Sequence, residues 1–232
     1  MFPKSTVARL SAAISFALIL ALLAALAWTQ WLAPAQRNPA ERIGGPFELV
    51  NTEGETVTAQ ELRGRYLLVF FGYTHCPDVC PTTLNAMTQA LDVIGESQPA
   101  TAQRVTPVFV TIDPARDDVA RMRDYVANFH SRTLGLTGSP EQIARAAKAY
   151  HVSYSKVDSA EMQQAQASGE HGHADTSGGS AADHAAMDHG GYLMQHSSYV
   201  FLMGPDGDHL AHVNAAAGAP RIAEMIRSHV QR

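Results

Sequence analysis

Hydrophobic residues in this chain recur in short runs that are separated by polar segments. Two apolar runs, at 66–71 and 105–112, have the length and composition of strands buried on both faces of a sheet. Others are shorter and flanked by turn-forming residues, which predicts hairpins near both ends of the domain. The predicted strands cover residues 47–51, 56–58, 66–71, 105–112, 134–137, 151–157, 198–203 and 208–213.

Helical periodicity fills most of the intervals between these strands. Ser139 is expected to cap one helix, with Pro140 at its first position. The predicted helices cover residues 82–94, 117–129, 140–150 and 219–230. This order predicts an α/β, thioredoxin-like fold with an N-terminal β-hairpin extension. Its crossover strands should be parallel and its late hairpin antiparallel.

The N-terminal region has a different pattern. Residues 10–32 contain no charged residue and are long enough to span a bilayer, while Lys4 and Arg9 precede them. The alternative is a cleaved signal peptide, because Ala25-Leu26-Ala27 matches a cleavage site. The favoured organisation is residues 1–9 in the cytoplasm, 10–32 as a single-pass inner-membrane anchor, 33–46 as a linker and 47–232 as a domain on the periplasmic side.

The composition of the chain limits the functions it can have. A net charge of −5 over 232 residues, without a basic cluster, argues against a nucleic-acid partner. Residues 160–195 are rich in Ala, Gly, Ser, Asp and His and are predicted to be a polar insertion in the domain. The chain has only two cysteines, too few for a disulfide scaffold, so an exported pair is more consistent with redox or metal chemistry.

The two cysteines, Cys76 and Cys80, lie where a buried strand meets a helix. A helix N-terminus favours thiolates. Four residues rise about 6 Å along a helix, which permits either a disulfide or a shared soft metal. Two thiolates need a third donor, and His196 is the candidate, because the loop before the late hairpin of a thioredoxin fold lies beside the dithiol. Such a set suits Cu(I), and zinc would also accept it.

Alternatives remain open for three polar residues near this motif. His196 either binds metal or merely ends the polar insertion. His75, next to Cys76, either tunes the thiols or is a loop residue. Asp113 either closes a turn or supports the site from outside the ligand set.

Three segments together resemble the Sco/SenC family, over about residues 46–230. They are Phe-Phe-Gly-Tyr-Thr-His-Cys-Pro-Asp-Val-Cys-Pro at 70–81, Val-Thr-Ile-Asp-Pro-Ala-Arg-Asp at 110–117 and His-Ser-Ser at 196–198. The resemblance implies a thioredoxin-like fold on one membrane anchor. It also implies copper, as Cu(I), Cu(II) or both, bound by Cys76, Cys80 and His196, with no ligand role for His75.

The same resemblance implies a metallochaperone for the dinuclear copper centre of cytochrome c oxidase, with subunit II or another copper protein as the partner. The alternative is an enzyme, a thiol-disulfide oxidoreductase in which Cys76 and Cys80 reduce the cysteines of the target site. A peroxidase of related fold is a weaker third hypothesis, because the two cysteines form a pair rather than a lone peroxidatic thiol.

The insertion departs from the family pattern because relatives generally have a shorter loop with fewer histidines. It is either a solvated loop that binds divalent ions weakly or an accessory copper-gathering arm, since imidazole and thioether both suit copper. Its candidate accessory ligands are His171, His173, His184, Met187, His189 and Met194.

Overall fold

The computed structural model describes residues 14–24, 26, 42–158 and 192–230. The chain divides into two compact units, residues 1–42 and 43–232. In the first unit, residues 14–24 are helical and their large apolar side chains are exposed. Within the described ranges, no helix combines the length and hydrophobicity that a bilayer span requires. The predicted anchor and linker extend into undescribed residues and therefore stay predictions.

The second unit is built on a seven-stranded mixed sheet. Its strands are β1 (Glu48–Asn51), β2 (Thr56–Thr58), β3 (Tyr66–Gly72), β4 (Val105–Thr111), β5 (Leu134–Thr137), β8 (Tyr199–Met203) and β9 (His209–Asn214). Their order across the sheet is β2-β1-β5-β4-β3-β8-β9. Its three central strands, β5, β4 and β3, are mutually parallel, and the outer strands pair antiparallel. The parallel centre and both predicted hairpins are confirmed.

Helices cover this sheet and complete the α/β architecture. They are α1 (Val79–Ser97), α2 (Pro99–Arg104), α3 (Val119–Val126), α4 (Pro140–Ala149) and α5 (Gly218–His229). At α4 the predicted cap is confirmed, because the Ser139 side chain accepts from the Gln142 backbone N–H and Pro140 opens the helix. Every residue of β3 is buried, which explains its unbroken apolar sequence.

Two boundaries differ from the sequence prediction in ways that affect the site. Helix α1 begins at Val79 rather than Thr82, so Cys80 lies within its first turn. Helix α3 begins only at Val119 because the Asp118 side chain caps it by accepting from the Arg121 N–H.

A larger correction concerns the end of the polar insertion. Residues 192–195, which the sequence prediction placed in that insertion, belong to strand β7 (Tyr192–His196). This strand pairs antiparallel with β6 (Tyr154–Asp158) in a separate two-stranded ribbon, with Tyr154 opposite His196. Tyr192, Met194 and His196 lie on one face of β7, with the period of two that is typical of a strand. The five-residue strand is too short for this period to be recognised next to the polar sequence that precedes it.

Candidate metal centre

The two thiols lie at the carboxyl end of the central strand β3. After Gly72, a short loop carries Cys76, and Cys80 follows in the first turn of α1. The Cys80 backbone N–H donates to the Cys76 sulfur at 3.4 Å. Neither cysteine forms a disulfide; Cys80 is buried and Cys76 is half-buried. The strand-helix junction therefore presents one accessible sulfur and one sulfur within the core.

Gly72 allows the backbone to pass close to the buried sulfur. A Cβ at this position would lie 2.8 Å from the Cys80 sulfur and 2.9 Å from the Phe109 ring. Both distances are shorter than real side-chain carbons tolerate. The absence of a side chain at the last residue of β3 is thus what makes room for Cys80.

Strand β7 brings His196 to the same place. Its Nε2 atom lies 4.0 Å from the Cys80 sulfur, while its Nδ1 atom lies 3.2 Å from the Ser197 carbonyl oxygen. A carbonyl only accepts, so the contact assigns the ring proton to Nδ1 and leaves the Nε2 lone pair toward the sulfur. The ring also packs near Phe70 and edge-on to Tyr73, with centroids 6.2 and 6.3 Å apart.

The three side chains are neighbours rather than a closed coordination shell. Within the part of the chain that the structure describes, no three His, Cys, Asp or Glu side chains are already gathered closely enough to hold a metal ion. Cys76, Cys80 and His196 nevertheless share one environment, and Cys76 and His196 both line a single cleft of about 430 Å³.

The pKa values of the two cysteines shift in opposite directions. The pKa of Cys76 is lowered to about 5, chiefly because the Cys80 side chain donates to its sulfur, with further help from backbone N–H groups of Cys80 and Asp78. The pKa of Cys80 is raised well above its ordinary value because it gives that hydrogen bond and is buried. Burial lowers the pKa of His196, which keeps its imidazole neutral at pH 7. The site thus contains one thiolate, one thiol and one neutral imidazole.

Two separate parts of the fold form the walls of the cleft beside the thiols. One side is the loop after β3 and the start of α1, including the exposed Val79, and the other is the β6-β7 ribbon. Met194 is buried in this wall, two residues before His196 on the same strand. This candidate accessory ligand therefore lies beside the main site. The other five, His171, His173, His184, Met187 and His189, lie outside the described residues.

A buried carboxylate that the sequence interpretation missed holds the cysteine loop. Asp117 is fully buried and accepts hydrogen bonds from the Thr74 backbone N–H at 2.9 Å and from the hydroxyls of Thr74 and Thr111 at 2.6 Å each. The His75 ring lies 3.5 Å from the same carboxylate and 3.1 Å from the Thr74 hydroxyl. His75 therefore contacts this anchor, in keeping with the absence of a ligand role.

Asp113, for which the sequence left two roles open, supports the opposite wall of the cleft. Its carboxylate accepts from the Tyr192 hydroxyl at 2.8 Å and pairs with Arg116. The Arg116 guanidinium lies 3.7 Å over the Tyr192 ring and donates to the Tyr192 carbonyl at 3.1 Å. Asp113 contacts none of the three candidate ligands; it fixes the start of the strand that ends at His196.

Fold and site together define a class of protein: a thioredoxin-like α/β domain that places a dithiol and an imidazole at one cleft. Comparison with known families is more specific. Residues 35–175 and 178–231 match the SCO1/SenC family model, and the chain belongs to that family.

Individual relatives agree with this membership. The mouse protein described as "Protein SCO2 homolog, mitochondrial" is 36% identical over 214 residues, covering 90% of this chain and 72% of that protein. Arabidopsis thaliana ScoI, solved with copper bound, is 32% identical with a TM-score of 0.62, over 81% of this chain and 99% of that one. Yeast Sco1 with copper bound is 28% identical with a TM-score of 0.61, over 82% and 88% respectively.

Proposed function

We propose that this protein is a copper metallochaperone that binds copper through Cys76, Cys80 and His196. The observation that carries the proposal is the 4.0 Å approach of His196 Nε2 to the Cys80 sulfur, at the cleft that also contains Cys76. Membership of the SCO1/SenC family and the copper-bound state of two similar structures support copper as the cargo. The proposed recipient is the dinuclear copper centre in subunit II of cytochrome c oxidase, or another copper protein.

The donor set fits copper as a transferable cargo. Thiolate sulfur and imidazole nitrogen suit Cu(I), and the imidazole also suits Cu(II). Cys76 is already ionised at neutral pH, whereas Cys80 must release its proton as the metal enters. Three protein donors at an open cleft leave one side of the ion accessible, so a recipient can displace them by ligand exchange.

Loading requires both sulfurs to be reduced. The Cys76 and Cys80 thiols are free in the structure, and a disulfide between them would remove both thiolate donors. A thiol reductant must therefore act before copper binds whenever the pair has been oxidised. Thiol chemistry is in this way a condition of the chaperone function.

The proposal includes a location. Residues 10–32 anchor the chain in the inner membrane, and residues 47–232 act on the periplasmic side. An oxidising compartment explains why a reductant is needed. Support comes from the uncharged N-terminal sequence and from the helix over residues 14–24.

His196→Ala tests the metal site directly. This variant should bind copper at least about tenfold more weakly, a change of ~1.4 kcal/mol or more, because one of three donors is lost. The matched control is His75→Ala, since His75 is adjacent to Cys76 in sequence but contacts Asp117. Copper affinity is measured by competition with a chromophoric Cu(I) chelator. Equal affinity in wild type and His196→Ala would contradict the proposal.

A thiol-disulfide oxidoreductase is the second candidate function, and the asymmetry of the dithiol favours it. Cys76 is half-exposed with a pKa of about 5, which suits a nucleophile, and Cys80 is positioned behind it to resolve a mixed disulfide. The His196→Ala variant separates the two functions, because dithiol exchange has no evident need of this imidazole. Full oxidase assembly in cells carrying His196→Ala would favour the reductase and reject the chaperone.

The accessory copper-gathering role of the His-rich insertion forms a separate part of the proposal. Deletion of residues 168–190 removes five of its six candidate ligands and leaves Met194 in place. If the insertion gathers copper, the deletion lowers copper stoichiometry and impairs oxidase assembly at limiting copper. Unchanged stoichiometry and assembly would leave the solvated-loop interpretation.

A further inference from the structure

A second group of histidines lies on the edge strand β9, away from the dithiol. His212 Nδ1 and His209 Nε2 are 3.1 Å apart. The two rings lie 5.1 Å apart between centroids. Neither side chain lines the cleft of Cys76, and strand β8 separates β9 from the strand that leads to the cysteines. No part of the proposed copper transfer uses this pair.

The separation of these two nitrogens matches that of two ligands on one metal ion. Metal–nitrogen bonds of about 2.0–2.1 Å, meeting at an angle between a right angle and the tetrahedral value, put the nitrogens about 2.8–3.4 Å apart. In the metal-free pair one ring donates its N–H to the other. When an ion enters, each neutral ring keeps its proton on the nitrogen that faces away. This requires a tautomer shift in the donor ring and a rotation of both rings toward the ion.

The surroundings hold one of the rings in place. Tyr199 meets His212 edge-on at 5.3 Å, and the Phe201 ring lies 5.9 Å from His212 on the same strand pair. Such aromatic contacts restrict the ring without using its nitrogens. For the other ring, burial and the neighbouring imidazoles lower the pKa of His209, which leaves it neutral and able to bind metal at neutral pH.

Other polar side chains lie near His212, one of the two rings. A cleft of about 220 Å³ between β9 and α5 is lined by His212, His229 and Glu224, among others. The His229 Nδ1 atom lies 2.9 Å from the Met225 carbonyl oxygen, so it carries the ring proton and leaves Nε2 available. Glu224 is paired with Arg221. His209 and His212 are thus paired at ligating distance. Within the described residues, His229 and Glu224 are not gathered closely enough with them to supply a third ligand.

We propose that His209 and His212 form a second metal site on strand β9 that takes a divalent ion such as Cu²⁺, with water completing the coordination. Imidazole nitrogen suits Cu²⁺, which forms the strongest complexes among the first-row divalent ions. The site contains no thiolate and therefore differs in chemistry from the Cys76–Cys80–His196 site, which suits Cu(I). Its two donors are contributed by one strand, so it needs no rearrangement of the sheet.

The test uses the full chain with Cys76→Ser and Cys80→Ser, which removes the dithiol and prevents Cu²⁺ from oxidising it. Cu²⁺ is titrated calorimetrically in a glycine-containing buffer, before and after His209→Gln and His212→Gln are introduced together. The matched control carries His75→Gln and His130→Gln, which removes the same number of imidazoles elsewhere. Histidine modification by diethylpyrocarbonate, read by mass spectrometry, reports which rings the ion protects.

The expected result is the loss of one Cu²⁺ equivalent in the His209→Gln/His212→Gln chain and not in the control. Cu²⁺ should also protect His209 and His212 from modification in the parent chain. Equal stoichiometry in all three chains, equal losses in the test and control variants, or modification of both rings despite bound Cu²⁺ would each overturn the site. Because both cysteines are absent from every chain compared, failure of the copper-transfer proposal would not produce any of these outcomes.

Discussion

Adding one methyl group at Gly72 should disturb the proposed copper site through the buried Cys80 sulfur. A Cβ there would meet the Cys80 sulfur at 2.8 Å, the Phe109 ring at 2.9 Å and the Phe70 ring at 3.1 Å. The sulfur must therefore retreat by about 0.6 Å to reach an ordinary 3.4 Å contact. All three neighbours are fully buried, which leaves little room for relaxation.

The expected losses of stability and of copper affinity follow from that displacement. Overpacking of a tight core costs about 1–3 kcal/mol, so we expect Gly72→Ala to lower the free energy of unfolding by that amount. Metal–ligand distances hold within about 0.2 Å, so a sulfur moved three times as far should also weaken Cu(I) binding by about tenfold or more. The loss of affinity should exceed that of a variant destabilised equally at a distance from the site.

Two measurements check this prediction: urea unfolding of the reduced, metal-free chain and Cu(I) competition with a chromophoric chelator. Gly95→Ala is the matched control, because its Cβ would meet only Ala102, at 3.9 Å, and alanine favours the α1 helix. That variant should bind copper like wild type and be at least as stable. If Gly72→Ala keeps both wild-type stability and wild-type affinity, the role assigned to Gly72 is wrong.

Three further predictions concern the reactive thiol of Cys76 and two residues that support the site. The pKa of Cys76 is lowered to about 5, so this thiol is ionised above that pH. Its alkylation by iodoacetamide should therefore stay fast from pH 8 to 6 and slow only near pH 5. An alkylation rate that rises steeply between pH 7 and 9 would contradict this prediction. Asp117→Asn should lower the free energy of unfolding by about 1–3 kcal/mol and weaken Cu(I) binding, because buried donors on Thr74 and Thr111 lose a carboxylate acceptor. Wild-type values in urea unfolding and in chelator competition would refute the role of Asp117 in holding the cysteine loop. Tyr192→Phe removes the hydrogen bond to Asp113 and should lower the free energy of unfolding by about 0.5–1.5 kcal/mol in the same assay. Cu(I) binding should weaken only slightly, since no ligand is removed. A loss of affinity as large as that of His196→Ala would contradict the supporting role of Tyr192.

The sheet and the dithiol could be predicted because their signals are local. Strand β3 is buried along its whole length, so it is visible as an apolar run. The Ser139 cap lies within three residues of the group it binds. Cys76 and Cys80 are four residues apart at a strand-helix junction, a pattern contained in a single segment.

The rest of the site depends on contacts between residues that are distant in the sequence. Strand β7 follows a long polar segment and pairs with β6 rather than with the main sheet, so no local pattern marks it. Asp117 is 43 residues from Thr74, and Tyr192 is 79 residues from Asp113. Position in the sequence left a supporting role open for Asp113 but indicated none for Asp117 or Tyr192, because only the tertiary fold brings these residues to the walls of the cleft.

The relative positions of Cys80 and His196 connect the fold to the proposed function. The most direct test is X-ray absorption at the copper edge on the reduced, copper-loaded full chain, compared with His196→Ala. Two sulfur scatterers and one nitrogen scatterer per copper, with the nitrogen lost in the variant, are the predicted result. A copper shell made only of sulfur, or a nitrogen that persists in His196→Ala, would contradict the proposed site.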